Sequence, residues 1–102
     1  MYYYSVTVSI DCSAADEWLE WMTQVHIPDV MATGLFSGHR VTRILEPEVD
    51  PNALTFNIQY AFDKVEQYET YCLNHAPALQ LAHAERYGER FVAFRTLLQE
   101  VY

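Results

Sequence analysis

The sequence predicts an α+β fold of the ferredoxin-like βαββαβ type, and three observations predict it. The two halves of the chain share one grammar. Trp18-x-x-Trp21-Met22, His26-Ile27-Pro28, Gly34 and Phe36 in the first half are echoed by Tyr68-x-x-Tyr71-Cys72, His75-Ala76-Pro77, Gly88 and Phe91 in the second. Each half also opens on strict apolar alternation, Tyr2, Tyr4, Val6, Val8, Ile10 and then Leu54, Phe56, Ile58, Tyr60, Phe62. Period two is the mark of a strand with one buried face. The repeat of about fifty residues occurs only twice, which makes it an internal duplication and not a solenoid. Two β-α-β units in tandem with right-handed crossovers give a four-stranded antiparallel sheet with both helices on one face.

Each element follows from local chemistry. Strand one spans Tyr2 to Ile10, its odd positions Tyr3, Ser5, Thr7 and Ser9 forming a polar second face. Ser13 and Asp16 suit a helix N-terminus, where side-chain oxygens and negative charge meet unsatisfied N–H groups. Trp18, Trp21 or Met22, and Val25 then fall at helical spacing as a core-facing stripe. Pro28 breaks that helix but suits the first turn of a new one, which Gly34 ends in a left-handed cap. Strand two runs from Phe36 to Leu45, and Glu46 to Asn52, with two prolines and three acids, is a loop. Strand three spans Leu54 to Phe62. The second helix starts near Asp63 with Val65, Tyr68, Tyr71 or Cys72, and His75 on its stripe. Pro77 restarts it, and Leu79, Ala82, Arg86 and Tyr87 lead to Gly88. Strand four, Arg90 to Leu98, is apolar on nearly both faces and so reads as covered on both sides.

Composition bounds the function. The 102 residues form a single ferredoxin-like domain, residues 1–102, with no linker-like stretch. With 14 Asp and Glu against 6 Lys and Arg the net charge is −8, which repels phosphate backbones. Nucleic acid and anionic membrane surfaces are excluded as partners on that ground. Met1-Tyr2-Tyr3-Tyr4 has no basic leader, and no apolar run is long enough to span a bilayer, so the reading is a soluble cytoplasmic protein. Cys12 and Cys72 form no paired framework and read as free, buried thiols. Hydrophobic residues make up 51% of the chain, enough that part of the apolar surface is expected to cover a partner subunit.

The second sheet face carries Ser5, Thr7, Ser9, Thr55, Asn57, Gln59 and Ala61, joined by Arg95 or Thr96 according to register. Facing water, it suits a monomer with an open sheet; facing a second copy, which the apolar strand four and Leu97, Leu98, Val101 and Tyr102 favour, it closes a homodimeric α+β barrel with a polar interior. The strings WLEWMTQVHIPDVMATGLFSGHRV and HAPALQLAHAERYGERFVAFRTLL resemble an uncharacterised bacterial domain-of-unknown-function family, DUF4286-like, over essentially the whole chain. That resemblance implies the ferredoxin-like, dimeric α+β barrel architecture and brings no catalytic residues. More distantly, the layout is similar to cofactor-free monooxygenases and polyketide cyclases.

Two constellations stand out. His26 and His75 precede prolines at equivalent places in the repeat. Capping the carbonyls freed at each helix break accounts for them better than a metal or an acid–base pair, and no metal is assigned. Arg95 with Asn57, Gln59, His39 and Arg40 is the candidate ligand set, suited to a small anionic or phenolic molecule inside the barrel. Intersubunit or intrasheet pairing with the surplus acids is the plain structural alternative. No nucleotide, P-loop, nucleophile-elbow or zincin motif is present, so no cofactor is assigned. His83 with Glu85 and Arg86 reads as a solvated helix face. The leading reading is a homodimeric binding or interaction module of unknown function. The alternative is a cofactor-free enzyme, monooxygenase- or cyclase-like, acting on a small aromatic or acidic metabolite. Whether the protein is an enzyme turns on whether a closed pocket with convergent polar groups exists.

Overall fold

A computed structural model describes all residues from Met1 to Tyr102. The strands are β1 (Tyr2–Asp11), β2 (Gly38–Arg43), β3 (Ala53–Phe62) and β4 (Phe91–Gln99). The helices are α1 (Ala15–Trp21), α2 (Ile27–Met31), α3 (Val65–Asn74) and α4 (Ala76–Tyr87). The sheet is antiparallel in the order β2-β3-β1-β4, the ferredoxin-like arrangement expected from the duplicated β-α-β pattern. No helix is long and apolar enough to cross a membrane.

The alternation read in the sequence sets the core. β1 pairs with β3 so that Tyr4 faces Tyr60, Val6 faces Ile58 and Val8 faces Phe56. Tyr4, Val8, Ile10, Phe56, Ile58, Tyr60 and Phe62 are buried on that face. Trp18, Met22, Ile27, Val30, Tyr71, Ala76 and Tyr87 close over it from the helices. Much of this core is aromatic. Tyr4 alone has the rings of Phe36, Tyr60, Tyr68 and Tyr71 within 5.4–6.2 Å, the range in which offset and tilted pairs attract beyond simple burial.

The opposite face is a hydroxyl and amide network. The Asn57 amide donates to Ser5 Oγ at 2.8 Å and Thr7 Oγ1 at 3.1 Å, and the Ser9 and Thr55 hydroxyls pair at 2.8 Å. Register brings Thr96 opposite Ser5, Phe94 opposite Thr7 and Val92 opposite Ser9, so those three β4 residues join this face. β4 is an edge strand with Val92 and Phe94 largely exposed, not the doubly covered strand its composition suggests. Composition cannot distinguish a strand covered by its own helices from one that needs a further surface.

The first helix departs most from the sequence reading. Between α1 and α2 the chain makes a π turn, Met22–His26, in which the Ile27 amide bonds the Met22 carbonyl. In an i→i+5 turn the residue that follows Met22 on the buried stripe is Ile27, not Val25. Ile27 is accordingly buried and Val25 exposed. Pro77 opens α4, where a missing N–H leaves no bond unmade, whereas Pro28 follows the π turn directly and, having no N–H, ends its run of i→i+5 bonds. Gly34 and Gly88 both adopt positive φ, 76° and 56°, a conformation that strains a side-chain-bearing residue. The expected Ser13 cap is absent, because a 3-10 turn at Cys12–Ala14 intervenes before α1. α3 instead starts with Gln67 folding back to accept from the Lys64 amide at 2.9 Å. Both cysteines are free, and both are exposed, correcting their expected burial. Cys72 follows Tyr71 on α3, and only one of the two can face the core.

Ile58 is 1% exposed and Leu73 81% exposed. Ile58→Ala should therefore lose about 2–5 kcal/mol by the contacts and cavity it leaves, and Leu73→Ala no more than about 0.5 kcal/mol. Urea denaturation of the two variants checks this, and equal losses would contradict the placement of the core.

Candidate functional site

Between the helix-facing side of the sheet and the helices lies a recess. Its floor is Tyr4, Val6 and Val8 of β1, Ile58 and Tyr60 of β3, and Ala93 and Arg95 of β4. Met22, His26 and Val30 wall it on one side, and Tyr71, Leu79, Gln80, His83 and Phe91 on the other. The free space within these walls is about 40 Å³, widening to about 470 Å³ when the solvent-open mouth is included. The deep part holds a water molecule or one functional group, not a whole aromatic ring.

The polar groups converge inside mostly apolar walls. Arg95 stands opposite Val6 in the register, which places it on the helix-facing side of the sheet. Its Nε donates to the Tyr4 hydroxyl at 3.1 Å. It has no carboxylate partner, since the one ion pair of the structure joins Arg86 to Glu17 at 2.6 Å on the surface. Burial raises the Tyr4 pKa, and the Arg95 guanidinium opposes that rise.

His83, on α4, is buried at 7% exposure. Its Nε2 accepts the Trp18 indole N–H at 2.9 Å, in a bond enclosed by the core. The rings of Trp21, Tyr87 and Phe91 surround it at 5.8, 5.4 and 4.2 Å. Burial, then the neighbouring His26 and Arg95, push its pKa down to about 4. His26, at the end of the π turn, lies against Trp21 at 5.0 Å and reaches His83 at 5.8 Å between ring centroids. Burial lowers its pKa as well; Asp29 works against this and Arg95 adds to it.

The residues singled out in the sequence do not all meet here. Arg95 lies in the recess, but Asn57 and Gln59 have the opposite strand parity and point to the outer face, as does Arg40 opposite Gln59. Asn57 already spends its amide on Ser5 and Thr7. Arg40, Gln59 and His39 border a separate shallow depression of about 290 Å³ with Tyr3, Gly38 and Ala61. The sheet itself divides the expected set. His26 pairs with His83 and not with His75, which stacks on Tyr71 at 6.4 Å. Neither His26 nor His75 supplies the side-chain cap expected at its helix break. His83 was missed as a site residue, although Ala76, Leu79, His83 and Tyr87 follow helical spacing and that pattern marks the buried stripe. No three His, Cys, Asp or Glu side chains gather in a metal-binding cluster.

The depressed His83 pKa fixes the sign of a pH effect. The unfolded chain protonates this histidine near pH 6.5 and the folded protein only near pH 4, so between those values the unfolded state binds more protons. Stability should fall as pH drops through that window, by roughly 2–3 kcal/mol from this group. His83→Gln, which keeps an acceptor for Trp18, should flatten the part of the slope between about pH 6.5 and pH 5. Denaturant melts of the two proteins across that range check it, and identical slopes would refute it.

The chain belongs to the family described as Domain of unknown function (DUF4286), whose model matches residues 1–101. No curated protein matches it. Among solved structures it is similar to SnoaB, a cofactor-independent oxygenase from Streptomyces nogalater, with a TM-score of 0.67 and 15% identity over 99% of this chain and 94% of that one. It is similar to MhuD with two manganese protoporphyrin IX bound per active site, with a TM-score of 0.69 and 14% identity over 100% and 96%. A dimeric ferredoxin-like protein from an uncultured marine organism gives a TM-score of 0.68 at 12% identity over 100% and 96%. At these identities the likeness shows the fold alone.

Proposed function

We propose that this member of the family is a single-domain homodimer that binds the anionic or phenolic head of a small molecule in the recess between sheet and helices. Arg95 carries the reading. It is the recess's guanidinium, its sole protein partner is a tyrosine hydroxyl, and no carboxylate neutralises it. Arg95 is exposed at the mouth of the recess, where its unpaired guanidinium N–H groups can form charge-assisted hydrogen bonds to an arriving anion. The space of about 40 Å³ fits a head group whose remainder projects through the mouth. The competing reading, a cofactor-free enzyme, draws on the same recess: two imidazoles with depressed pKa values line it. The similarity to a cofactor-independent oxygenase is compatible with that reading but reaches only the fold.

Dimerisation is supported by β4. Val92, Phe94 and Leu98 point to the outer sheet face from an edge strand, with exposures of 73%, 64% and 37%. Apolar residues lined up along an unpaired edge invite a partner surface. A second copy apposed on this face covers them and leaves the recess, on the other side of the sheet, open to ligand.

Two experiments test these readings. With 4-nitrophenolate as probe, titration calorimetry should give an affinity at least about tenfold weaker for Arg95→Gln, the loss of one charge-assisted bond. Unchanged binding would remove Arg95 from the reading. For the dimer, light scattering should find wild type dimeric at micromolar concentration, with Phe94→Asp or Gln59→Arg shifting it toward monomer by burying unpaired charge. A monomeric wild type refutes the interface.

A further inference from the structure

The Trp18–His83 bond has a consequence for the recess that rests on the anion-binding reading and sharpens it. An indole N–H only donates, so the His83 nitrogen that receives it is unprotonated. A neutral imidazole carries its one proton on the other nitrogen. His83 is thus held with the proton on Nδ1. That nitrogen has no protein partner, yet no buried polar side-chain atom of the structure is left unpaired, so Nδ1 opens onto the free space of the recess. Protonating Nε2 would break the bond to Trp18 and put a charge beside Arg95 and His26. Trp21, Tyr87 and Phe91 pack the ring so that it does not turn over easily.

The other polar atoms point the same way. The Tyr4 oxygen accepts from Arg95 Nε, and its hydroxyl proton is shared between the neighbouring Gln80 side chain and the recess. The terminal guanidinium nitrogens of Arg95 are unspent and only donate. His26 differs, because it makes no side-chain hydrogen bond within the protein and retains an unprotonated ring nitrogen when neutral.

We propose that the recess divides its two histidines by role: His83, locked by Trp18, is a fixed hydrogen-bond donor to a ligand oxygen, and His26 is the acceptor of that ligand's proton. A phenol entering the recess breaks its O–H bond, the electron pair stays on oxygen as phenolate, and the proton forms an N–H bond on His26. Nothing is oxidised or reduced. The charged and titratable groups facing His26 are Arg95 from β4, His83 from α4, Tyr4 from β1, Tyr60 from β3, Tyr71 from α3 and Asp29 from its own helix. Arg95 resists protonation of His26 in the free protein, and the arriving phenolate cancels Arg95 while Asp29 supports the new imidazolium. Anion arrival and proton uptake are therefore coupled.

Two measurements separate the parts. In the ligand-free protein, nitrogen-15 correlations of the histidine rings should show His83 neutral and protonated on Nδ1 from about pH 5 to pH 8. Trp18→Phe should release it to a mixture of tautomers. Should that variant fail to fold, the wild-type spectrum alone decides. His83 protonated on Nε2, or turning to imidazolium within that range, overturns the donor assignment whatever the protein binds. The second measurement adds 4-nitrophenol at a pH where the free probe is mostly protonated. Wild type should bind it as the yellow phenolate with the His26 ring becoming doubly protonated. His26→Gln should still bind the probe, but as the colourless phenol and at least about tenfold more weakly. Binding of the colourless form by wild type overturns the role of His26. No binding by wild type, with His83 in the expected tautomer, refutes the anion-binding reading while leaving the Trp18 lock standing.

Discussion

Strand β1 is paired on both sides, to β3 and to β4, and its period of two governs every other feature of the molecule. Even positions carry large side chains and positions 5, 7 and 9 small hydroxyls, so a slip of one residue would turn Ser5, Thr7 and Ser9 toward the aromatic core and Tyr4, Val6 and Val8 toward the outer face. The penalty for that exchange makes the register unambiguous. Once β1 is fixed, β4 has no freedom. Arg95 lies opposite Val6 and must share its side of the sheet, while Phe94 and Thr96 must take the other. The recess and the outer face are two consequences of one pairing.

The recess owes its chemistry to the aromatic core around it. Walls of Val, Ile, Leu, Phe and Tyr exclude water, and charge within them interacts more strongly than at the surface. The same exclusion penalises a protonated imidazole, which keeps His83 neutral and lets the Trp18 bond decide its tautomer. Arg95 escapes the penalty in part, because it stands toward the edge of the sheet and the recess mouth opens to solvent. A buried histidine that donates and an arginine free of carboxylates are complementary to the same kind of ligand atom.

The π turn joins these parts. By accommodating an extra residue between Met22 and Ile27 it keeps the apolar stripe of α1 continuous with that of α2. It also leaves His26 half-buried at the edge of that stripe, within 5.8 Å of His83. His75, the equivalent residue in the duplicated half, follows α3 without such a turn and meets Tyr71 instead. The internal symmetry of the sequence breaks in three dimensions at the place where the recess forms.

The sequence by itself determined the element order, the sheet's two faces and the core residues of β1 and β3, because period-two alternation and paired β-α-β units are local signals that survive folding. It named Arg95 and His26, and in Leu79, His83 and Tyr87 it carried an i, i+4, i+8 pattern that marks His83 as inward-facing. It placed Arg95 with Asn57, Gln59 and Arg40, however, because β4 is apolar on both faces and offers no alternation of its own from which to assign parity. That parity came only from the partner strand. Likewise Val25 fits the α-helical stripe better than Ile27 in sequence, and only the backbone reveals the π turn that exchanges them. The meeting of His26, His83 and Trp18 joins residues 57 and 65 positions apart, fixed by packing of one half against the other. No local spacing encodes such a contact; only the tertiary structure decided it.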